Sequence, residues 1–294
     1  MNLSNLLQAV YLELGQLQVS TATAGDTTFV TDSKMIGTGG KDDVWKNGAA
    51  FIIEDAAGAG AAPEGEYDLI TAYDDSTGKF TAGFTVAPAS GDIYGIVSEY
   101  YPLYTMIELC NAGLRGLGDL TLIDTTTLDT ASNKTEYAAA TTWKRRPPQR
   151  IDFQGDTTDA NDNRWIQVFA WEFIPAAPGT AGLIIFRDQF VADRGIRVWY
   201  YDKHPRLNTY ADSVAEVIAP ELAVATCVER ALRWQNSRLG GGDDFLMQRW
   251  NDAKQDLAIV KRAYPIWHPQ TTNMSRLAGV GREDTAEDNF RINP

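Results

Sequence analysis

The sequence predicts an α+β protein: a core of four amphipathic helices with two inserted antiparallel β domains and an extended C-terminal arm. Three observations predict it. Apolar residues recur every three or four positions in four separate stretches, the pattern of a helix with one buried face. Two long blocks between them change to period two with glycine and proline punctuation, the pattern of strands and turns. The stretch after Pro265 holds neither period. On this reading 1–19 and 100–119 are helices of the core, 20–99 is the first inserted β domain and 120–210 the second. Residues 211–265 are the helical hairpin of the core, and 266–294 form the arm.

The first helix places Leu3, Leu7, Val10, Leu14 and Leu17 on one stripe, with Asn2 or Ser4 as its cap. Helices this short are marginal alone in water, so it is expected to dock. In 20–99 the expected strands are 27–31, 49–54, 67–72, 79–86 and 92–97, with a turn at Asp74 to Gly78 between the third and fourth. Pro102 opens the second helix, whose stripe is Leu103, Met106, Ile107, Cys110, Leu114 and Leu117. Strands are then expected at 135–140, 150–153, 165–173, 182–186 and 196–201. In 165–173 the odd positions Trp165, Gln167, Phe169, Trp171 and Phe173 are mostly aromatic, so that face is expected to be buried in a sandwich or against helices.

The clearest stretch is 219–264. Pro220 suits a first helical position, and Val224, Cys227, Val228, Ala231 and Leu232 gather on one side, opposite Glu229, Arg230 and Arg233. Gly240, Gly241 and Gly242 permit a sharp reversal. Asp243 and Asp244 then cap a second helix with the stripe Leu246, Trp250, Ala253, Leu257, Val260 and Tyr264, which Pro265 stops. The residues expected to form the hairpin's core and subunit contact are Val224, Val228, Leu232, Leu246, Trp250, Leu257 and Val260.

Composition narrows the function. With 44% hydrophobic and 22% charged residues the chain can bury a core, and no apolar run approaches the roughly 20 residues that span a bilayer. No membrane partner is expected. The start MNLSNLLQAVYLEL lacks a basic n-region, so no signal peptide is expected either. Cys110 and Cys227 lie on apolar helical faces and read as buried free thiols. Residues 1–100 hold 14 acids against 4 bases, net −10, of the total −13. Gripping DNA by its phosphates needs the opposite sign.

Catalytic chemistry is hard to find. GTGGK at Gly37 to Lys41 lacks the earlier glycine of a phosphate loop and has Asp42 where Ser or Thr would bind magnesium, so it reads as a turn. Asp159, Asn161 and Asn163 open like a calcium loop, yet Arg164 and Ala170 occupy the positions that need glycine and glutamate. His204 and His268 stand apart from any partner at zinc spacing. Paired carboxylates for glycoside hydrolysis would come from distant strands, and spacing does not address them. No enzyme, cofactor or metal is expected. Lys144, Arg145, Arg146 and Arg150, interrupted by Pro147 and Pro148, read either as a solvated connection or as a contact for an acidic protein ahead of DNA. In the tail Trp267 and Phe290 are either interface anchors or partly buried on this chain's own core.

Over 100–264 the order of parts resembles the head-to-tail adaptor, or connector, of the tailed-bacteriophage neck. A helix follows a β excursion; NKTEYAAA begins at Asn133, RVWYYDKHPRL at Arg197 and APELAVATCVERAL at Ala219. The chain departs from that pattern at Ala138 to Ala140, where a Leu-Pro step is common, and in its larger acidic β region. The resemblance implies a structural virion protein, made in the host cytoplasm. It implies a homo-oligomer, a dodecameric ring that docks on the portal, meets tail or neck proteins and continues the DNA channel. Genome DNA would pass through the lumen without specific binding. The resemblance also implies an arm docking on the portal, here Trp267, His268, Arg276, Arg282 and Phe290. The competing reading is a β-rich tail or receptor-binding module, which would bind through β loops and leave the hairpin out of the subunit contact.

Overall fold

The structure, a computed structural model, describes residues 1–267 apart from 59, 61, 129–133, 142, 144, 145, 156–163, 178, 179 and 188–193. The chain divides into two compact units. Unit 1 is Met1–Asp119 with Lys203–Ile266, and unit 2 is Leu120–Asp202 with the chain from Trp267 onward.

Unit 1 opens with α1 (Leu3–Glu13), where the Asn2 side chain accepts from the Asn5 N–H at 2.8 Å. Eight strands follow: β1 (Gln18–Thr21), β2 (Ala24–Asp26), β3 (Phe29–Thr31), β4 (Ala49–Glu54), β5 (Tyr67–Leu69), β6 (Ala72–Asp74), β7 (Lys79–Thr81) and β8 (Ile93–Val97). After α2 (Leu103–Gly116) the unit resumes with α3 (Pro220–Arg238) and α4 (Asp244–Ala263). The strands form two antiparallel sheets, ordered β1-β8-β4-β5 and β2-β3-β7-β6. Between them lies a core that includes Val30, Ile52, Ile70, Tyr73, Phe80, Tyr94 and Ile96. Asp32 is fully buried at its edge, where its carboxylate accepts from the hydroxyls of Ser20 and Tyr94 at 2.5 and 2.9 Å and from the Lys34 N–H at 2.8 Å. Three donors replace the water that burial removes.

The expected helical core with two inserted β domains is not what forms. Among the described residues there are four helices and fifteen strands in four antiparallel sheets, a mixed chain that is mostly β. The physical reason is visible in β4. Ala50 and Ile52 point into the sandwich, while Phe51 on the opposite face meets the Tyr11 ring of α1 at 5.8 Å. Ala49 to Ile52 are all fully buried, so this stretch of the strand has no solvent face. Tyr11 also donates to the Tyr101 carbonyl at 2.9 Å. The first β block and the helices therefore share one body, and the block is not an excursion from a helical bundle.

Gly78 closes the β6–β7 turn at φ +63°, and a Cβ there would meet the Asp32 carbonyl oxygen at 2.2 Å. Gly78→Ala is expected to lower unfolding free energy by about 2 kcal/mol, the sum of left-handed strain and a displaced backbone. Urea denaturation checks this; an unchanged midpoint would show that the turn relaxes freely.

Unit 2 holds β9 (Leu120–Asp124), β10 (Glu136–Ala138), β11 (Arg150–Gln154), β12 (Trp165–Val168), β13 (Trp171–Ile174), β14 (Leu183–Phe186) and β15 (Ile196–Asp202). Its two sheets are β12-β11-β15-β9 and β10-β14-β13. Tyr137, Trp143, Ile151, Ile184, Phe186, Ile196 and Val198 form the core. The buried Trp143 donates its Nε1 hydrogen to Asp124 at 3.0 Å. The strand expected at 165–173 is two strands in different sheets, broken where the Trp171 N–H donates to the Phe169 carbonyl at 3.2 Å. Phe169 is 53% exposed, so the aromatic face is not buried as a whole.

Candidate functional site

The hairpin leaves apolar surface open in unit 1. α3 is well buried, with Leu222, Ala223, Thr226, Cys227, Ala231 and Leu232 inside. α4 is capped by Asp243, whose side chain accepts from the Phe245 and Leu246 N–H groups at 3.0 and 3.2 Å. Two further contacts hold α4 down. Trp250 donates its Nε1 hydrogen to Glu229 on α3 at 2.9 Å, its ring covered by the Lys254 ammonium of the same helix at 3.4 Å. Arg249 donates to the Glu13 and Leu14 carbonyls at 3.5 and 3.4 Å, a cation at the negative end of α1.

Despite these ties, only Leu246 and Ala253 of the 20 residues in α4 are buried. Of the expected hairpin residues Leu232 and Leu246 are buried, whereas Val224, Val228, Trp250, Leu257 and Val260 stay half-buried. Val224 and Val228 line a groove of about 390 Å³ with Ala9, Leu12, Ala225 and Ala253, rimmed by Glu13, Glu221 and Asp256. Leu12 and Ile259 are each 62% exposed, and Phe245 is 68% exposed. Sequence reasoning missed these three. The signal was present, because each lies off its helix's buried stripe, and off-stripe apolar residues mark a second apolar surface.

No group of three metal-ligating side chains occurs among the described residues. Gly39, in the GTGGK turn, donates its N–H to Asp75 of the β6–β7 turn at 3.0 Å. Cys110 and Cys227 are buried and free, and the neighbouring Cys110 thiol together with burial pushes the Cys227 thiol well above its usual range. A thiol held protonated is a poor nucleophile. Asp159, Asn161 and Asn163 lie outside the described residues.

His204 is structural. Its Nε2 accepts from the Ala215 N–H at 3.0 Å, and its Nδ1 sits 2.5 Å from the Pro205 carbonyl, which fits the neutral ring with the proton on Nδ1. Burial lowers its pKa below the ordinary 6.5, against the smaller opposing effect of the Pro205 carbonyl. The unfolded chain therefore binds a proton here at higher pH than the folded one. The stabilisation is complete above 6.5 and is lost as pH falls through the lower folded value. Wild type is expected to lose more stability than His204→Gln between pH 7.5 and 5 in urea titrations; parallel losses would place the proton elsewhere.

Lys144 and Arg145 lie outside the described residues, and Arg146 is exposed. Arg150 is the first residue of β11, and its Nε is 2.5 Å from the buried Asp152 carboxylate. Of the expected arm, His268, Arg276, Arg282 and Phe290 lie outside the described residues. Trp267 is 58% exposed and meets the Trp199 ring of β15 at 6.0 Å.

No helix among the described residues is long and apolar enough to cross a membrane. No protein-family model matches the chain, and no curated protein matches it.

Proposed function

We propose that the chain is a structural assembly protein, the head-to-tail adaptor of a tailed-phage neck, which closes into a homo-oligomeric ring on the portal and carries the DNA channel toward the tail. The observation that carries this reading is the second apolar surface of α1, α3 and α4. A ring needs a heterologous contact in which one patch on each copy meets a different patch on the next. The groove over Val224 and Val228 and the exposed side chains of α4 are two such patches. Phe245 and Ile259 stand about 21 Å apart along α4, at 1.5 Å per residue. The arm docks on the portal, and the excess of acid in residues 1–100 lets DNA pass without adhering.

Native mass measurement of the purified chain, alone and with portal, tests the proposal. A ring on the portal is expected; a stable trimer indifferent to portal would contradict it. The alternative, a tail or receptor-binding module, draws on the half-buried Trp199 and exposed Trp267 of unit 2 and would give that trimer.

A further inference from the structure

The outer face of the β12-β11-β15-β9 sheet is a ladder of tryptophan and arginine. Register puts Arg150 opposite Trp199, Asp152 opposite Arg197 and Gln167, and Ile123 opposite Trp199 on the other side. All point away from the core side occupied by Ile151, Ile196 and Val198. The Arg197 guanidinium stacks 4.0 Å over Trp165 and lies 5.9 Å from Trp199, and Arg150 lies 5.9 Å from the Trp199 ring.

Among the described residues this face has one carboxylate, and it is already engaged. Asp152 accepts from Arg150 Nε at 2.5 Å and from Trp199 Nε1 at 2.7 Å. Arg197 makes no ion pair among the described residues, and its buried Nε has no hydrogen-bond partner. A guanidinium held over an indole ring keeps N–H groups free for an incoming carboxylate. Ile123, beside Trp199, is 47% exposed. The face thus offers a cation without an anion, next to open apolar surface.

We propose that its occupant is this chain's own C-terminal segment, whose run EDTAEDNF at 283–290 supplies carboxylates to Arg197 and the Phe290 ring to the surface around Ile123 and Trp199. Two observations favour this segment over any other partner. Trp267, where the chain leaves unit 1 for unit 2, already stands on Trp199 with the rings 62° apart, so the segment starts on this face. The run then holds Glu283, Asp284, Glu287 and Asp288 within six residues, the complement of an unpaired guanidinium. Length is no obstacle. Fifteen residues separate Trp267 from Glu283 and can span about 50 Å, while four strands are only about 15 Å across. The proposal does not depend on the adaptor reading. If the adaptor reading also holds, portal and sheet compete for the arm.

Trypsin cleavage at Arg276 in the full-length protein, followed by mass, reads the docking. Cleavage is expected to be about tenfold slower in wild type than in Arg197→Glu, and equally slower than in the triple change Asp284→Asn, Glu287→Gln and Asp288→Asn. The triple change leaves unit 2's sheet untouched, so it decides the matter if Arg197→Glu misfolds. Molar salt should speed the wild-type reaction. Equal rates in wild type and the triple variant overturn the proposal. Protection that vanishes on dilution also overturns it, because the arm would then come from a second copy.

Discussion

Leu12→Asp combined with Ile259→Asp is expected to leave unit 1 folded and the protein unable to form a ring. Both side chains are 62% exposed, so stability should stay within about 0.5 kcal/mol of wild type per site. At a subunit contact the same change removes about 1.5–3 kcal/mol of apolar burial per side chain and sets a charge against the acidic rim of Glu13, Glu221 and Asp256. The loss recurs at every interface of a ring, so assembly should fail outright. Urea titration and native mass together check this. Rings that persist in the double variant would show that the groove is not the contact.

Asp152→Ala is expected to be among the most destabilising single changes in unit 2, costing about 3 kcal/mol. Its carboxylate is 1% exposed and holds both Arg150 Nε and Trp199 Nε1. Removing it strands a cation and an indole N–H beside Arg197, which gains no anion in exchange. Breaking a buried pair from one side costs about 3–5 kcal/mol, and the lower end applies because Arg150 is 30% exposed. Domains hold only about 5–15 kcal/mol in total. Asp152→Asn keeps an acceptor and should lose less. A cost under about 1 kcal/mol for Asp152→Ala would mean that water already serves both donors.

The helices were the legible part of this chain. Pro220 and Asp243 mark where α3 and α4 begin, and the period of three and four over 246–260 needs no tertiary information. The sharing of β4 between a sandwich and α1 was not legible. Ala49 to Ile52 are all apolar, so the strand shows no alternation to say which face meets what. The opposite failure occurred at 165–173, where an alternating run conceals a turn at Phe169 that moves the chain to another sheet. β9 was missed because LTLID is short and lies between a glycine-rich helix end and a threonine-rich loop. At the candidate site the buried stripe was readable, yet it is not the surface left open. That surface belongs to Leu12, Phe245 and Ile259, which become informative only when the stripe has been assigned and they are seen to miss it.

Electron microscopy of the protein assembled on portal tests the central claim most directly, by showing what covers the hairpin. A ring in which Leu12, Val224 and Ile259 of one copy are buried against the next is the expected result. A ring, or a trimer, in which α1, α3 and α4 face solvent on every copy would contradict it.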